Sequence, residues 1–82
     1  MRHFVYILKC VDNTFYTGYT VDVEKRCATH NKGKGAKYTR ARLPVEVVYS
    51  CEYTTKAGAM RREYQIKQLT HSGKLKVIRG QL

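Results

Sequence analysis

The sequence predicts an α+β fold in which a small three-stranded antiparallel sheet is flanked by helices, in the order ββαβαα. Two β-rich runs separated by a short polar stretch open the chain, a third follows a proline, and helix-forming segments follow the second and third runs. A chain of 82 residues buries only about 60 to 65% of its unfolded surface, enough for one modest core. We therefore expect one domain over residues 1–82.

The first two predicted strands form a hairpin. Residues 3–11 are almost continuously apolar, residues 12–14 interrupt them, and residues 15–20 resume the β-rich pattern. Because side chains alternate along a strand, the two faces of the first run carry Phe4, Tyr6, Leu8 and Cys10 on one side and Val5, Ile7 and Val11 on the other. Both faces are apolar, so helices are expected to cover each side of the sheet.

A short helix is predicted after the hairpin, over residues 22–30. Asp22 and Glu24 place negative charge at its start, where the helix dipole favours it. Val23 and Cys27 give it a narrow apolar stripe.

Pro44 precedes the third predicted strand, a β-rich run over residues 45–53. Thr54 or Thr55 then supplies the side-chain oxygen that caps a helix start. We expect this second helix to continue to about residue 70.

The last segment is predicted to begin with a helix break at Ser72 and Gly73. Leu75 and Ile78 lie three residues apart among basic residues. This spacing predicts a short final helix over the core, with a basic outer face.

Residues 31–43, which read NKGKGAKYTRARL, form a basic segment with five cations, no acid and neither helical nor strand periodicity. The segment is predicted to be a loop. A solvated charge run is one interpretation, but the interleaved glycines and tyrosine favour a nucleic-acid surface. The candidate binding residues are Lys32, Lys34, Lys37, Tyr38, Arg40 and Arg42. If all five cations met phosphates of duplex DNA, the log-log salt slope of binding would be about −4.5.

The chain as a whole has a formal charge of +10 and no apolar run near the roughly 18 to 20 residues of a membrane span. Its first apolar run breaks off at Lys9, before a signal-peptide core would form. A cytoplasmic location is therefore expected. Cys10, Cys27 and Cys51 form no C-x-x-C pair, which argues against a disulfide framework or a zinc site and predicts reduced, mostly buried thiols.

Tyr6 and Tyr16 are predicted to share one face of the hairpin. With a three-residue loop at residues 12–14, Tyr16 would lie opposite Cys10, so a longer loop or a bulge would be needed to bring the two hydroxyls together. Ordinary packing of both tyrosines is the alternative. Gly18 shares this face and would let a phosphate or another backbone approach closely.

Arg26 and His30 are four residues apart, so they stand on one face of the first predicted helix. They flank the apolar stripe and point toward the edge of the core. The alternative is a solvated arginine and a histidine that interacts with the C-terminus of the helix.

Glu63 falls inside the apolar arc of the second predicted helix, between Met60 and Ile66. A carboxylate at such a position needs a partner. Arg62 or Lys67 would provide a structural ion pair, whereas a divalent cation such as magnesium would bind the carboxylate together with waters and phosphate oxygens.

These residues, in this order, resemble the GIY-YIG nuclease family. Phe4-Val5-Tyr6 corresponds to its first signature and Tyr16-Thr17-Gly18 to its second, followed by Arg26, His30 and a helical Glu63. Residues 30–39 resemble the short, single-domain bacterial branch. The sequence departs from the commonest pattern in having Phe4 for Gly, Val5 for Ile, Thr17 for Ile, Tyr19 where repair-type members carry Lys, and no Asn over residues 74–82.

The resemblance implies a three-stranded antiparallel sheet among helices and metal-dependent hydrolysis of phosphodiester bonds. It implies nucleic acid as the substrate, with DNA expected, and Mg²⁺ or Mn²⁺ as the cofactor, bound by Glu63. Familiar relatives are targeted by a fused DNA-binding domain, so a protein partner for targeting is a further expectation. The catalytic residues implied are Tyr6, Tyr16, Arg26, His30 and Glu63.

The mechanism expected from the resemblance makes Tyr6 the acceptor of the water proton, Tyr16 an orienting hydrogen-bond partner, His30 a proton shuttle and Arg26 the stabiliser of charge. Which tyrosine is the base stays open. A phenolate at pH 7 requires a pKa shift of about three units, roughly 4 kcal/mol, so Arg26, a lysine such as Lys37 and the metal would have to act together. The alternatives are a non-catalytic nucleic-acid-binding module and a small adaptor for an acidic protein.

Overall fold

The computed structural model describes residues 2–81. Its strands are β1 (His3–Lys9), β2 (Phe15–Thr20) and β3 (Glu46–Tyr53), and they form one antiparallel sheet with β1 in the centre. Its helices are α1 (Val23–Asn31), α2 (Lys37–Arg40), α3 (Lys56–Lys67) and α4 (His71–Ile78). The predicted α+β class and three-stranded antiparallel sheet are confirmed, but the order over these residues is ββααβαα.

The central strand β1 is covered on both faces, as its apolar pattern predicts. One face, which we call the tyrosine face, carries Tyr6, Leu8 and Cys10 and packs against side chains of α1 and the segment before β3. On the opposite face, Val5 and Ile7 pack against side chains of α3 and α4. Burying each of these large side chains contributes about 1.5 to 3 kcal/mol, which makes β1 the centre of the core.

The hairpin turn lies one residue earlier than predicted. Val11, Asp12 and Asn13 form it, and the Cys10 amide donates to the Thr14 carbonyl at 2.8 Å. Asn13 adopts the left-handed conformation (φ 66°) that closes a three-residue hairpin turn. The shift moves the strand pairing by two residues.

In the observed register Tyr16 lies opposite Leu8, not Cys10, and Tyr6 lies opposite Gly18. Tyr6 and Tyr16 therefore share the tyrosine face and are closer along the sheet than the predicted loop allows. No bulge between β1 and β2 is needed.

Helices α1 and α3 begin at the caps that the sequence indicates. The Asp22 carboxylate accepts from the Lys25 amide at 3.0 Å, and the Thr55 hydroxyl accepts from the Gly58 amide at 3.0 Å. Of the two candidates for the second cap, Thr55 is the residue used. Helix α3 ends at Lys67 rather than near residue 70.

The predicted break at residues 72–73 is wrong. Thr70 caps α4 by accepting from the Gly73 amide at 3.1 Å, so Ser72 and Gly73 lie in the first turn of the last helix. A glycine is tolerated there because its amide is bonded by the cap and not by a preceding carbonyl. The expected final helix exists, but it starts at His71.

The basic segment is not entirely a loop, because Lys37–Arg40 forms α2. One helical turn leaves no periodicity for a sequence pattern to reveal, and its N-cap Ala36 supplies no side-chain hydrogen bond. Tertiary contacts of Thr39, described below, hold this turn in place.

The three cysteines are free, as expected, but only Cys10 is fully buried, while Cys27 and Cys51 are half-buried. Burial raises the pKa of the Cys10 thiol. No helix formed by residues 2–81 has the length and apolar character to cross a membrane.

Candidate active site

Tyr6 and His30 form the buried centre of the candidate site. The Tyr6 side chain comes from β1 and is 1% exposed, and His30 comes from the last turn of α1 and is fully buried. The Tyr6 hydroxyl lies 3.0 Å from His30 Nε2. His30 is therefore a core histidine with a specific partner, not a residue that merely interacts with a helix end.

The basic segment holds the other side of the His30 ring. Thr39, fully buried in α2, places its Oγ1 2.8 Å from His30 Nδ1, and the Ala36 amide lies 3.4 Å from the same nitrogen. Gly35 lies against the ring, since a Cβ at this position would come within 2.7 Å of the His30 Cγ. The ring is thus fixed between β1 and residues 35–39.

One set of protons satisfies the three shortest contacts of this network. Tyr6 donates to Nε2, Nδ1–H donates to the Thr39 hydroxyl, and that hydroxyl donates to the Ala36 carbonyl at 2.9 Å. The reverse direction would leave the Thr39–Ala36 contact without a proton and rely on the 3.4 Å amide contact. We therefore assign the Nδ1–H tautomer to His30.

Burial sets the protonation states of this pair. Desolvation lowers the pKa of His30, and the nearby positive charge of Arg26 lowers it further, so the ring is neutral at pH 7. Desolvation also raises the pKa of Tyr6, although a hydrogen bond from Arg26 opposes this shift. The expected lowering of the Tyr6 pKa is thus not found in the protein alone.

Gly18 and Tyr16 shape the surroundings of the Tyr6 hydroxyl. A Cβ on Gly18 would come within 2.5 Å of that hydroxyl, so only glycine leaves room for the phenol. The Tyr16 ring packs edge-on against His30, with centroids 5.3 Å apart. Tyr6, Tyr16, Arg26 and His30 therefore meet at one place, on the tyrosine face.

Glu63 approaches this cluster from the opposite side of the sheet, on α3. Its side chain is 13% exposed and its carboxylate lies 3.3 Å from the Lys67 ammonium, which is one of the two partners considered above. Met60 is 42% exposed, so Glu63 lies at the margin of the apolar arc rather than inside it. Its charge contributes to the raised pKa of Tyr6, which places the carboxylate within electrostatic range of the phenol.

The donor set near Glu63 fits a lightly coordinated divalent cation. No group of three or more His, Cys, Asp or Glu side chains gathers into a metal site within residues 2–81. Magnesium requires none, since it typically takes one or two carboxylates and fills its remaining positions with waters and phosphate oxygens. A divalent cation at Glu63 would replace the Lys67 ammonium, whose side chain is 48% exposed and can turn into solvent.

The predicted nucleic-acid-binding residues divide into two groups. Tyr38 stacks on Tyr16 with ring centroids 6.2 Å apart, and Arg42 lies 3.9 Å above the Tyr38 ring while pairing with Asp12 at 3.0 Å. These two residues therefore help to connect the basic segment to the hairpin turn. The other four are exposed and form no ion pair with any residue that the structure describes: Lys32, Lys34, Lys37 and Arg40.

Sequence reasoning missed the role of Gly35 and Thr39. Both lie in the basic segment, where the charge run dominated the interpretation. A buried threonine two residues from an exposed lysine has no distinct sequence signal, since α2 is too short for a periodic pattern.

Comparison with known proteins identifies the family. Residues 2–76 match the model of the GIY-YIG catalytic domain. The chain belongs to the GIY-YIG family. A UPF0213 protein of Staphylococcus haemolyticus is 58% identical over 77 residues, which cover 94% of each chain, and one of Staphylococcus aureus is 53% identical over the same length and coverage.

Two solved structures share this GIY-YIG fold. The solution structure of a UPF0213 protein from Bacillus halodurans has 47% identity and a TM-score of 0.62, covering 95% of this chain and 83% of that one. A solution structure of a protein from E. faecalis has 36% identity and a TM-score of 0.67, covering 98% and 85%.

The departures from the common GIY-YIG signatures have distinct locations. Tyr19, at the position of the repair-type lysine, points to the opposite face, where its hydroxyl bonds His3 Nδ1 at 2.7 Å. It is therefore not part of the Tyr6 cluster. Thr17, in place of the middle isoleucine, is 2% exposed.

Proposed function

We propose that this GIY-YIG chain is a divalent-metal-dependent endonuclease that hydrolyses phosphodiester bonds in nucleic acid, with DNA as the expected substrate. The buried hydrogen bond between Tyr6 and His30 carries the proposal, and the positive charge of Arg26 acts on both groups. A neutral imidazole aimed at a phenol is a proton-transfer pair, and a guanidinium beside it suits a phosphate oxyanion.

Because Tyr6 is paired with His30, the proposed mechanism does not require a strongly lowered pKa of the phenol. As the attacking water transfers a proton to the Tyr6 oxygen, the Tyr6 proton passes to His30 Nε2, which the Nδ1–H tautomer leaves free to accept it. Thr39 then faces an imidazolium and continues to accept from Nδ1. Tyr6 thus acts as base with His30 as its proton acceptor, and no phenolate has to exist at rest.

Arg26 and Tyr16 act on charge and orientation. In this proposal Arg26, whose charge acts on Tyr6 and His30, forks onto the non-bridging oxygens of the bound phosphodiester. Tyr16, whose ring packs against His30, donates to the water or to the phosphate. Glu63 would hold the cation, and a divalent ion there supplies neutralisation of phosphoryl charge when bound.

An incision panel tests the proposal. Single-stranded, duplex and branched DNA and RNA are incubated with the protein, with and without Mg²⁺ or Mn²⁺, and products are resolved on denaturing gels. We expect metal-dependent strand cuts that Glu63→Gln and Arg26→Ala abolish. An absence of cuts in every substrate would refute the endonuclease.

Magnesium binding has a readout separate from cutting. Thermal unfolding is followed as Mg²⁺ is added. The Tm of the wild-type protein should rise and the Tm of Glu63→Gln should stay the same, because a ligand that binds only the folded state stabilises it by mass action. Glu52→Gln removes an exposed carboxylate on β3 that pairs with Arg2, and serves as the control. Equal shifts in both variants would show that Glu63 is not the ligand.

A non-catalytic nucleic-acid-binding module is the second candidate. Two observations favour it. The raised pKa of Tyr6 describes a neutral phenol, and the pairing of Glu63 with Lys67 describes a carboxylate that already has a partner. It predicts salt-sensitive binding in the panel without metal-dependent products.

A further inference from the structure

A concavity lies along the edge of the sheet at β2, next to the candidate active site. We call it the β2-edge pocket; its volume is about 270 Å³. It is lined by Phe15, Tyr16, Thr17, Tyr38, Lys67 and Lys74. Strand β2, the turn α2 and helices α3 and α4 therefore all contribute to it.

Two hydrogen-bond donors in the β2-edge pocket have no partner. The Thr17 hydroxyl is buried and makes no hydrogen bond in the structure. Lys74 is half-buried on α4, and no acidic side chain among residues 2–81 pairs with its ammonium. A buried hydroxyl without a partner is unfavourable, so a ligand oxygen that accepts a hydrogen bond from it would stabilise the complex.

The β2-edge pocket is continuous with the Tyr6 cluster. Tyr16 lines the pocket and also packs against His30 with ring centroids 5.3 Å apart. Lys67 lines it and holds Glu63 at 3.3 Å. A chain that passes the active site therefore meets the pocket directly.

The chemistry of the pocket favours a phosphate over a base. Its free donors are an ammonium and a hydroxyl, which suit anionic oxygens, and its lining has no carboxylate or amide to read a base edge. The Tyr38 ring already has Tyr16 on one side and the Arg42 guanidinium 3.9 Å away, so it is not a free stacking surface.

We propose that the β2-edge pocket binds a backbone phosphate of the polynucleotide that flanks the phosphodiester at the Tyr6 cluster, with Lys74 and Thr17 as its donors. The inference rests on the proposed function in that nucleic acid is the substrate. Lys67 joins the same phosphate when a divalent cation takes Glu63.

Binding without metal tests Lys74 apart from catalysis. Affinity for a fluorescent single-stranded oligonucleotide is measured by anisotropy over a salt series. Lys74→Gln should weaken binding at least fivefold and reduce the log-log salt slope by about 0.7, the value of one lost phosphate contact on a single strand. Lys76→Gln, an exposed lysine on the same helix, makes the same change in charge and should have less than half this effect. Equal effects would overturn the proposal.

Thr17→Val separates binding from folding. Valine has the shape of threonine without the unpaired hydroxyl, so the Tm should stay the same or rise while affinity falls at least threefold. Unchanged affinity would overturn the role of Thr17. A structural role alone predicts the opposite pattern, a lower Tm with normal binding.

A single neutral methylphosphonate, moved along the oligonucleotide, locates the contact. Several positions should weaken wild-type binding, and at one of them Lys74→Gln should show no further loss because its contact is already absent. Additive losses at every position would refute the pocket while leaving the nuclease proposal intact. A wild-type protein that binds but never cuts would refute the nuclease and leave the pocket, and one that binds no nucleic acid would refute both.

Discussion

At the scale of single residues, the Tyr6 hydroxyl lies between a neutral imidazole and a positive charge. It bonds His30 Nε2, Arg26 acts on it electrostatically, and burial keeps the phenol neutral. The hydroxyl therefore has a structural role in the protein and a catalytic role in the proposed mechanism, and its removal should affect stability and incision by separate amounts.

Tyr6→Phe should reduce incision by about 10²-fold to 10⁴-fold, the usual contribution of a positioned acid or base. It should also lower the free energy of unfolding by about 1 to 3 kcal/mol, because His30 Nε2 is left buried without a partner. Gel kinetics and urea denaturation measure the two effects. Tyr64→Phe, at a tyrosine that is 67% exposed, is the matched control; an active Tyr6→Phe enzyme would exclude Tyr6 as base.

The neutral His30 predicts a pH dependence of stability. Its pKa in the folded state is lowered by burial and by Arg26, so the unfolded chain binds more protons below the ordinary pKa of about 6.5. Stability should therefore be constant above that pH and fall as the pH drops below it.

Urea denaturation between pH 5 and 7.5 measures this fall. His30→Gln should flatten the curve, whereas His71→Gln, at an exposed histidine, should keep it. Asp12, whose pKa is lowered by its hydrogen bond from Thr14 and by Arg42, contributes only at more acid pH. A wild-type curve that is flat over the whole range would contradict a buried neutral His30.

At the scale of elements, the basic segment and α1 form one unit around the His30 ring. Helix α2 has a single turn, yet its Thr39 is fully buried because its hydroxyl bridges His30 Nδ1 and the Ala36 carbonyl. The turn thus orients the imidazole and selects which nitrogen faces Tyr6.

Thr39→Val should therefore disturb the tautomer of His30, while Thr39→Ser should preserve it. ¹⁵N NMR of the His30 ring in the wild-type protein should show Nδ1 protonated and Nε2 unprotonated. The valine variant should lose this pattern. Thr39→Val removes a hydrogen bond to the buried His30, worth about 1 to 3 kcal/mol. The rate of incision should therefore be roughly 10-fold to 100-fold lower.

The serine variant should cut within about threefold of wild type, because one hydrogen bond is kept and a net change of under about 0.7 kcal/mol is expected. A wild-type spectrum with the proton on Nε2 would refute the assigned tautomer. Equal rates for valine and serine would show that Thr39 has no positioning role.

At the scale of the whole molecule, basic residues outnumber acidic ones by sixteen to six. Lys37 and Arg40 of the basic segment lie in α2, whose Thr39 bonds His30. Arg42 is committed to Asp12 and the Tyr38 carbonyl, so it is a weaker candidate for phosphate than the other cations of the segment.

The basic segment should accordingly contribute about −3.6 to the log-log salt slope of duplex binding, for four cations, and not the −4.5 of five. Equilibrium anisotropy over a roughly sixfold range of salt, about 50 to 300 mM, measures the slope. Arg42→Gln should change the slope less than Arg40→Gln. A larger change at Arg42 would show that the Asp12 pair opens on binding.

Local patterns predicted much of this molecule. Alternation along the first run predicted which side chains of β1 share a face, but Val11 lies in the turn and is 61% exposed. The charge of Asp22 and the hydroxyl of one of two threonines, Thr55, marked the helix starts. The register of the hairpin was missed because it depends on Asn13 taking a left-handed φ, which residue types permit without requiring.

Contacts between segments far apart in the sequence could not be predicted from local patterns either. The contact of Thr39 with His30 joins a single helical turn to another helix, and no periodicity records it. The approach of Glu63 depends on how α3 packs on the opposite face of the sheet. Such features follow from tertiary packing and not from local propensity.

The contact of Gly35 and Thr39 with His30 restricts how this protein can be re-engineered. The exposed cations proposed to contact the polymer and the two residues that hold the His30 ring all lie within residues 32–40, so replacing this segment with a foreign recognition loop would also displace the imidazole. A library that varies only the outward-facing Lys32, Lys34, Lys37 and Arg40 should retune target preference while the chemistry survives. Randomising the whole stretch should instead return mostly inert clones.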